Sequence, residues 1–201
     1  MAQEIRINKV EILANNRHPL KKITFDKPDK NGNWKTQVRE FYDRGNAATI
    51  LLYNTEKATI ILTRQFRIPT YVNGNPTGLL IEVCAGMLEK DSPEECVKRE
   101  SIEETGYHVK NLKKIFELYM SAGGLTELLF FFTGTYSEED RVSKGGGLAN
   151  ENEEIEVMEI SFEKAYEMIA NGEIKDAKTV ILLQYAKIQR LFNEGKFPPD
   201  S

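Results

Sequence analysis

Histidine and cysteine are scarce in this chain, and their scarcity removes several chemistries at once. Two histidines and two cysteines among 201 residues fall into no Cys/His zinc spacing and cannot build a disulfide framework. His18 and His108 stand isolated and read as ordinary surface residues. Cys84 and Cys96 read as buried free thiols, with a redox or metal role as the alternative. A Gly-x-Ser-x-Gly nucleophile elbow, internal repeats and low-complexity tracts are also missing from the sequence. A large excess of charge of one sign is missing too: 27 cations against 31 acids leave a net charge of −4. Binding to nucleic acid through bulk charge is therefore not expected, and a phosphate site has to be built from a few placed cations for a small ligand. The longest apolar run, Leu128 to Phe132, is far too short to span a bilayer. The opening MAQEIRINKVEI has charge where a signal peptide needs an apolar core, so a cytoplasmic protein with no membrane association is expected.

What is present is enough apolar residue, 40% of the chain, for one substantial core with a small appended element. The most informative stretch is AGMLEKDSPEECVKRESIEETGY, from Ala85 to Tyr107. Gly86 leaves a strand. Ser92-Pro93-Glu94-Glu95 then places a serine N-cap, proline at the first helical position and glutamate at N3, which is a capping box. A helix is predicted over 93–105, with Gly106 as the left-handed residue that closes it.

Within that helix Glu100 and Glu104 project from one face about a turn apart, while Arg99 and Glu103 make an opposite-charge pair on a neighbouring stripe. Two carboxylates four apart repel by a few tenths of a kcal/mol, and a divalent cation would turn the repulsion into ligation. A solvated helix with surplus glutamates is the plainer reading. At average residue usage, Arg-Glu-x-x-Glu-Glu-x-Gly arises by chance in such a chain at roughly 10^-4, which favours metal binding.

Taken in order, residues 4–14, 18–27 and 34–42 read as strands, with Lys30-Asn31-Gly32-Asn33 as a turn. This polar, weakly patterned element either packs across a dimer interface or decorates the edge of the main sheet. From Gly45 the pattern becomes apolar, and 47–53 and 57–64 read as a buried hairpin. Arg64 and Arg67 stand three apart at the end of its second strand. Arg67 is a diphosphate-binding candidate, with a surface salt bridge as the other reading. The loop Asn73 to Gly78 leads into a strand over 79–84, and a hairpin over 112–119 and 125–136 is joined by Ser121-Ala122-Gly123-Gly124. Glu127, an acid at the start of an apolar strand, suits a ligand or metal better than packing. Gly145-Gly146-Gly147 followed by Asn150-Glu151-Asn152-Glu153-Glu154 reads as a mobile lid carrying a general base or as a solvated acidic loop. A strand over 155–160, a helix over 161–171 capped by Ser161 and an amphipathic helix over 177–193 complete the chain. Lys178, on the first turn of the last helix, reaches an anionic ligand or is simply solvated.

At the box residues the chain resembles the Nudix hydrolases, whose pattern is Gly-x5-Glu-x7-Arg-Glu-U-x-Glu-Glu-x-Gly-U, with U apolar. Gly86, Arg99, Glu100, Glu103, Glu104 and Gly106 match; Ser92 replaces the first glutamate, the Gly86–Arg99 spacing is one residue short, and Ser101 fills an apolar position. Residues 39–46 (REFYDRGN), 64–67 (RQFR), 117–121 (ELYMS), Thr126-Glu127, 145–147 and Lys178-Thr179-Val180 look like the GDP-mannose pyrophosphatase branch, close to the ADP-ribose pyrophosphatases. Ala122 stands where those branches usually carry proline.

The resemblance implies an α+β fold, a Nudix α/β/α sandwich with a mixed central sheet and an N-terminal antiparallel β element. It implies a dimer-forming element over 1–44 and a catalytic domain over 45–201. The implied activity is Mg2+-dependent hydrolysis of a nucleoside diphosphate sugar, GDP-mannose first and ADP-ribose as the alternative. A Nudix-fold sensor that binds without cleaving is the reading from another class. The metal ligands implied are the Ala85 carbonyl, Glu100, Glu104 and Glu153, with Glu153 also the catalytic base, although Glu151 and Glu154 are open for that role. Substrate would be held by Arg67, Ala85, Glu127 and Lys178, together with Arg39 and Glu40 from the second subunit of a homodimer.

Overall fold

The computed structural model describes residues 4–148 and 153–192. Asn150, Glu151 and Asn152 of the acidic loop, and Asn193 at the expected end of the last helix, lie outside the described residues. The chain divides into two compact units, one comprising Met1–Asn46 with Tyr119–Leu128 and the other Ala47–Leu118 with Leu129–Ser201.

The first unit is an antiparallel meander of β1 (Arg6–Asn15), β2 (Pro19–Pro28) and β3 (Trp34–Tyr42). Its second turn forms because the Asp29 carboxylate accepts from the amides of Asn31 and Asn33, while Gly32 takes the left-handed conformation. Segment 119–128 joins this unit through backbone bonds: Tyr42 N donates to Gly124 O and Thr126 N to Tyr42 O. The Asp43 carboxylate accepts from Lys21 Nζ at 2.5 Å and from Thr126 Oγ1 at 2.7 Å.

The second unit is built on a mixed sheet ordered β10-β5-β4-β9-β8, with β6 beside β5 and β7 beside β4. The strands are β4 (Ala47–Asn54), β5 (Thr59–Phe66), β6 (Leu79–Glu82), β7 (Cys84–Met87), β8 (Lys110–Tyr119), β9 (Leu128–Thr135) and β10 (Glu156–Ser161). The sheet is mixed because β4 runs parallel to β9 and antiparallel to β5 and β7. β4 and β5 pair only at Leu52–Asn54 with Thr59–Ile61, so they are a hairpin that splays open, and β6 and β7 enter the gap. The single strand expected over 79–84 is thus two, broken at Val83, whose amide leaves the sheet and donates to Thr179 Oγ1 at 2.8 Å.

β4 is buried along nearly its whole length, as a central strand covered on both faces must be. Its even residues Ala48, Ile50 and Leu52 join Cys84, Cys96, Val97, Tyr107 and Phe132 in one core cluster against α2 (Pro93–Glu100). Side chains alternate across a strand, which leaves Thr49 and Leu51 to the opposite face, and α4 (Ala177–Ile188) packs on β4 as well. α3 (Phe162–Ala170) packs on β10, with Ser161 accepting from Lys164 N as its N-cap. Both cysteines are free and buried. The short α1 (Ile68–Val72) was not foreseen; Pro69 in its first turn is the local signal that supports it. No helix among the described residues is long and apolar enough to cross a membrane.

Candidate active site

The helix of the Ala85–Tyr107 stretch begins as its sequence dictates. Ser92 Oγ accepts from Glu95 N, Glu95 Oε2 accepts from Ser92 N at 2.9 Å, and Pro93 opens the first turn. Its end differs from the expected continuous α-helix. α2 stops at Glu100, and Ser101–Thr105 forms a π-helical turn closed by left-handed Gly106. Two buried hydroxyls turn inward there: Ser101 Oγ donates to Val97 O at 2.6 Å and Thr105 Oγ1 donates to Ser101 O. Such back-bonding competes with the i→i−4 ladder and opens it. It also explains how Ser101 is tolerated at an apolar position, since its one donor is satisfied.

Arg99 organises the acids around it. Its Nε donates to Asp91 Oδ2 at 2.9 Å, and its Nη1 donates to Glu100 Oε1 at 2.8 Å and Glu103 Oε2 at 2.9 Å. The Arg99–Glu103 pair was legible from spacing; the grip on Asp91 and Glu100 was not. Gly86 has its own reason to be glycine. A Cβ there would lie 1.9 Å from Glu100 Oε1, so the carboxylate occupies the volume of the missing side chain.

Glu104 is 3% exposed and accepts from Ala85 N at 3.3 Å. Burial pushes its pKa up to about 8, with the Glu100 charge adding to the rise and hydrogen bonds from Cys84 and Ala85, and the Arg67 charge, opposing it. Burial also lifts Glu100 to about 7; Arg99 opposes the rise, while Glu103 and Glu153 add to it. Two acids held at neutral pH on the edge of ionisation are what a cation site looks like before its charge is balanced.

The glycine run is fastened to this helix end. Gly146 N donates to Glu104 O at 2.9 Å and Gly147 N donates to Glu103 O at 3.1 Å, all three glycines having positive φ. A Cβ on Gly145 would strike Glu104 O at 2.5 Å. This half of the expected lid is therefore a clasp on the box helix. It delivers Glu153, which packs against Gly147 and whose Oε2 accepts from Leu148 N at 3.3 Å. An open cavity of about 450 Å³ lies here, lined by Arg64, Leu79, Gly146 and the run 153–156.

Arg67 and Lys178 converge on a residue that sequence reasoning missed. Arg67 Nε donates to Glu82 Oε2 at 2.7 Å, Lys178 Nζ contacts Glu82 Oε1, and Lys178 Nζ also reaches Asp176 Oδ1 at 2.9 Å. Burial alone would depress the Lys178 pKa, yet Glu82 and Asp176 hold it above its ordinary value. Lys178 is thus a half-buried paired cation and not a solvated one. The Arg67 backbone is fixed as well, because its carbonyl accepts from Thr70 N and Thr70 Oγ1 at the start of α1.

The remaining expected residues belong to the first unit. Glu127 is 8% exposed and pairs with Arg44 at 3.3 Å. Arg39 is exposed and donates to Gln37 Oε1 and Val38 O, and Glu40 lies beside it on β3. Residues 100, 104, 153, 85, 67 and 178 all belong to the second unit.

The donor set suits a hard divalent cation. Glu100, Glu104 and the Ala85 carbonyl offer only oxygen, with neither thiolate nor imidazole. Among the described residues no group of three or more histidine, cysteine, aspartate or glutamate side chains is already gathered as a metal cluster.

A family model described as the GDP-mannose pyrophosphatase NudK N-terminal domain matches residues 4–42, and one for the NUDIX domain matches residues 43–183. The chain belongs to the Nudix family of hydrolases. A protein of Enterobacter sp. (strain 638) called GDP-mannose pyrophosphatase is 54% identical over 191 residues, covering 95% of this chain and 99% of its own. A protein of the same name from Salmonella typhimurium is 53% identical, covering 96% and 100%. The solved "Crystal structure of ADP compounds hydrolase" superposes at a TM-score of 0.72 over 98% of this chain and 99% of its own, with 18% identity, and so shares the fold. The α/β/α Nudix sandwich expected from the sequence is the fold observed.

Proposed function

We propose that this protein hydrolyses the diphosphate of a nucleoside diphosphate sugar, with GDP-mannose as the substrate and GMP and mannose 1-phosphate as products. The observation that carries the reading is the carboxylate pair of buried Glu104 and half-buried Glu100, the latter beside Gly86, with two fixed cations, Arg67 and Lys178, in the same unit. The names of relatives alike along nearly the whole chain support the choice of sugar nucleotide. ADP-ribose is the second reading, favoured by the name of the structural neighbour.

Mg2+ is the proposed cofactor, held by Glu100, Glu104, Glu153 and the Ala85 carbonyl, and when bound it supplies charge neutralisation and a more acidic water. Arg67 and Lys178 bind the diphosphate oxygens and fix their position. The Ala85 backbone and Glu127 orient the substrate. Glu153 takes the proton from the attacking water as its oxygen bonds to one phosphorus and the bridging P–O bond breaks, leaving the electron pair on the departing phosphate. Arg99 holds Glu100 and Glu103 in register throughout.

The N-terminal element over 1–44 forms a homodimer in this reading and lends Arg39 and Glu40 to the other copy's catalytic domain, 45–201. The protein acts in the cytoplasm on a small molecule, with neither nucleic acid nor membrane as partner. The test is turnover of GDP-mannose beside ADP-ribose, with Mg2+ and then with chelator, products identified by chromatography. Chelator-sensitive release of GMP is expected. Preference for ADP-ribose would overturn the substrate, and no hydrolysis of either would bring the non-cleaving sensor forward. Replacing Glu100 by Gln is expected to lower kcat at least ~100-fold with the fold retained; near-normal rates would sink the metal assignment.

A further inference from the structure

Glu82 has no part in the reaction proposed above, yet it is 3% exposed and carries a charge into the interior of the second unit. It is the last residue of β6, at the point where the chain leaves β5 for β4. Its two oxygens are divided between two cations: Oε2 accepts from Arg67 Nε at 2.7 Å, and Oε1 accepts from Lys178 Nζ. Those partners lie 15 and 96 residues away in sequence. Asp176 completes the set, with Oδ1 on Lys178 Nζ at 2.9 Å and Oδ2 accepting from Thr179 N at 2.9 Å as the cap of α4.

Neutralising Lys178 does not require this arrangement, because Asp176 already supplies a carboxylate to it. What Glu82 adds is a rigid bridge between the ammonium and the guanidinium. It takes Arg67 through Nε, and the Nη1/Nη2 edge still offers a near-parallel N–H pair that can match two phosphate oxygens. An arginine and a lysine each carry several rotatable bonds, and a ligand that had to order both would bind less tightly.

We propose that Glu82 is a positioning residue for diphosphate binding, its carboxylate fixing the separation and orientation of Arg67 and Lys178 before substrate arrives. This rests on Arg67 and Lys178 being the diphosphate cations, as given under the proposed function. Glu82 itself touches no substrate.

The test compares E82Q and E82D with the wild-type protein in three measurements: initial rates on GDP-mannose with Mg2+, calorimetric binding of GDP in chelator, and thermal unfolding with and without Mg2+. E82Q keeps the shape and removes the charge; E82D keeps the charge and shortens the reach by one methylene. Misplacing a binding group by about 1 Å costs up to about 100-fold, so E82Q is expected to raise KM about 10- to 50-fold with kcat within about 5-fold of wild type. GDP binding is expected to weaken in step, and the Mg2+ dependence of unfolding to stay as in wild type. E82D should fall between the two. An unchanged KM and GDP affinity, with only the active fraction reduced, makes Glu82 a purely structural residue and overturns the proposal. If E82Q does not fold, E82D decides in the same way. Absence of turnover by the wild-type protein strikes the proposed function, and the GDP titration still reads the clamp: equal affinity in wild type and variant overturns it.

Discussion

Replacing Glu104 by Gln should make the cation-free protein more stable at pH 8, although it removes a site residue. In the folded chain burial lifts the Glu104 pKa from 4.5 to about 8. An acid whose pKa is raised on folding holds its proton more tightly in the native than in the unfolded chain. Its contribution to stability is therefore intact below pH 4.5 and is lost as pH climbs through the interval to about 8. Each tenfold gain in proton affinity on folding is worth about 1.4 kcal/mol, which sets a ceiling of about 5 kcal/mol for this group. Glu100 shares the repulsion and the site relaxes, so roughly 2–4 kcal/mol is the expected gain for E104Q. For a chain of 201 residues that is a rise in Tm of about 5–10 °C. The assay is calorimetric or circular-dichroism melting in chelator from pH 5 to pH 8.5. The advantage of E104Q should shrink to below about 1 kcal/mol near pH 5, where the native wild-type carboxyl keeps its proton and only the unfolded one has begun to lose it. Adding Mg2+ at pH 8 should then stabilise the wild-type protein and leave the variant unmoved. A variant less stable than wild type at pH 8 in chelator, or a gain equal at pH 5 and pH 8, would refute the reasoning.

Gly86→Ala should cost activity at least ~100-fold, because a Cβ there would meet the Glu100 carboxylate at 1.9 Å; KM and kcat on GDP-mannose, with a melting curve to confirm folding, check it. Ser92→Ala removes the N-cap of α2 and should lower stability by about 1 kcal/mol, a fall in Tm of about 2–4 °C, with turnover nearly unchanged. Cys84 and Cys96 should react with a disulfide reagent at pH 8 only as fast as the protein opens. Both are buried, and burial lifts the Cys84 thiol well above its ordinary pKa and Cys96 to about 12; rapid labelling of native protein would contradict the packing described.

The local signals of the box were legible because each acts within a few residues. Ser92, Pro93 and Glu95 start the helix wherever the chain folds, Gly106 ends it, and Arg99 meets Glu103 across one turn. The runs of apolar residues marked β4 and β5, and the box spacing carried the fold class with it. The π turn was less visible: Ser101 stood out as a polar residue at an apolar position, but its consequence depends on burial that forces the hydroxyl onto Val97 O. The glycine run was visible as a departure from ordinary composition, and its role as a clasp on the Glu103 and Glu104 carbonyls was not.

Sequence alone determined the helix with its caps, the acid face, the scarcity of soft metal ligands and the family. Tertiary structure decided the environment of each charge. Glu82 reads as one more strand residue until β6, α1 and α4 bring it between Arg67 and Lys178. Glu127 finds Arg44, far away in sequence, because segment 119–128 closes on β3. The division is physical: caps and turns are set by interactions among neighbours, whereas burial, which fixes whether a carboxylate is charged, belongs to the assembled core.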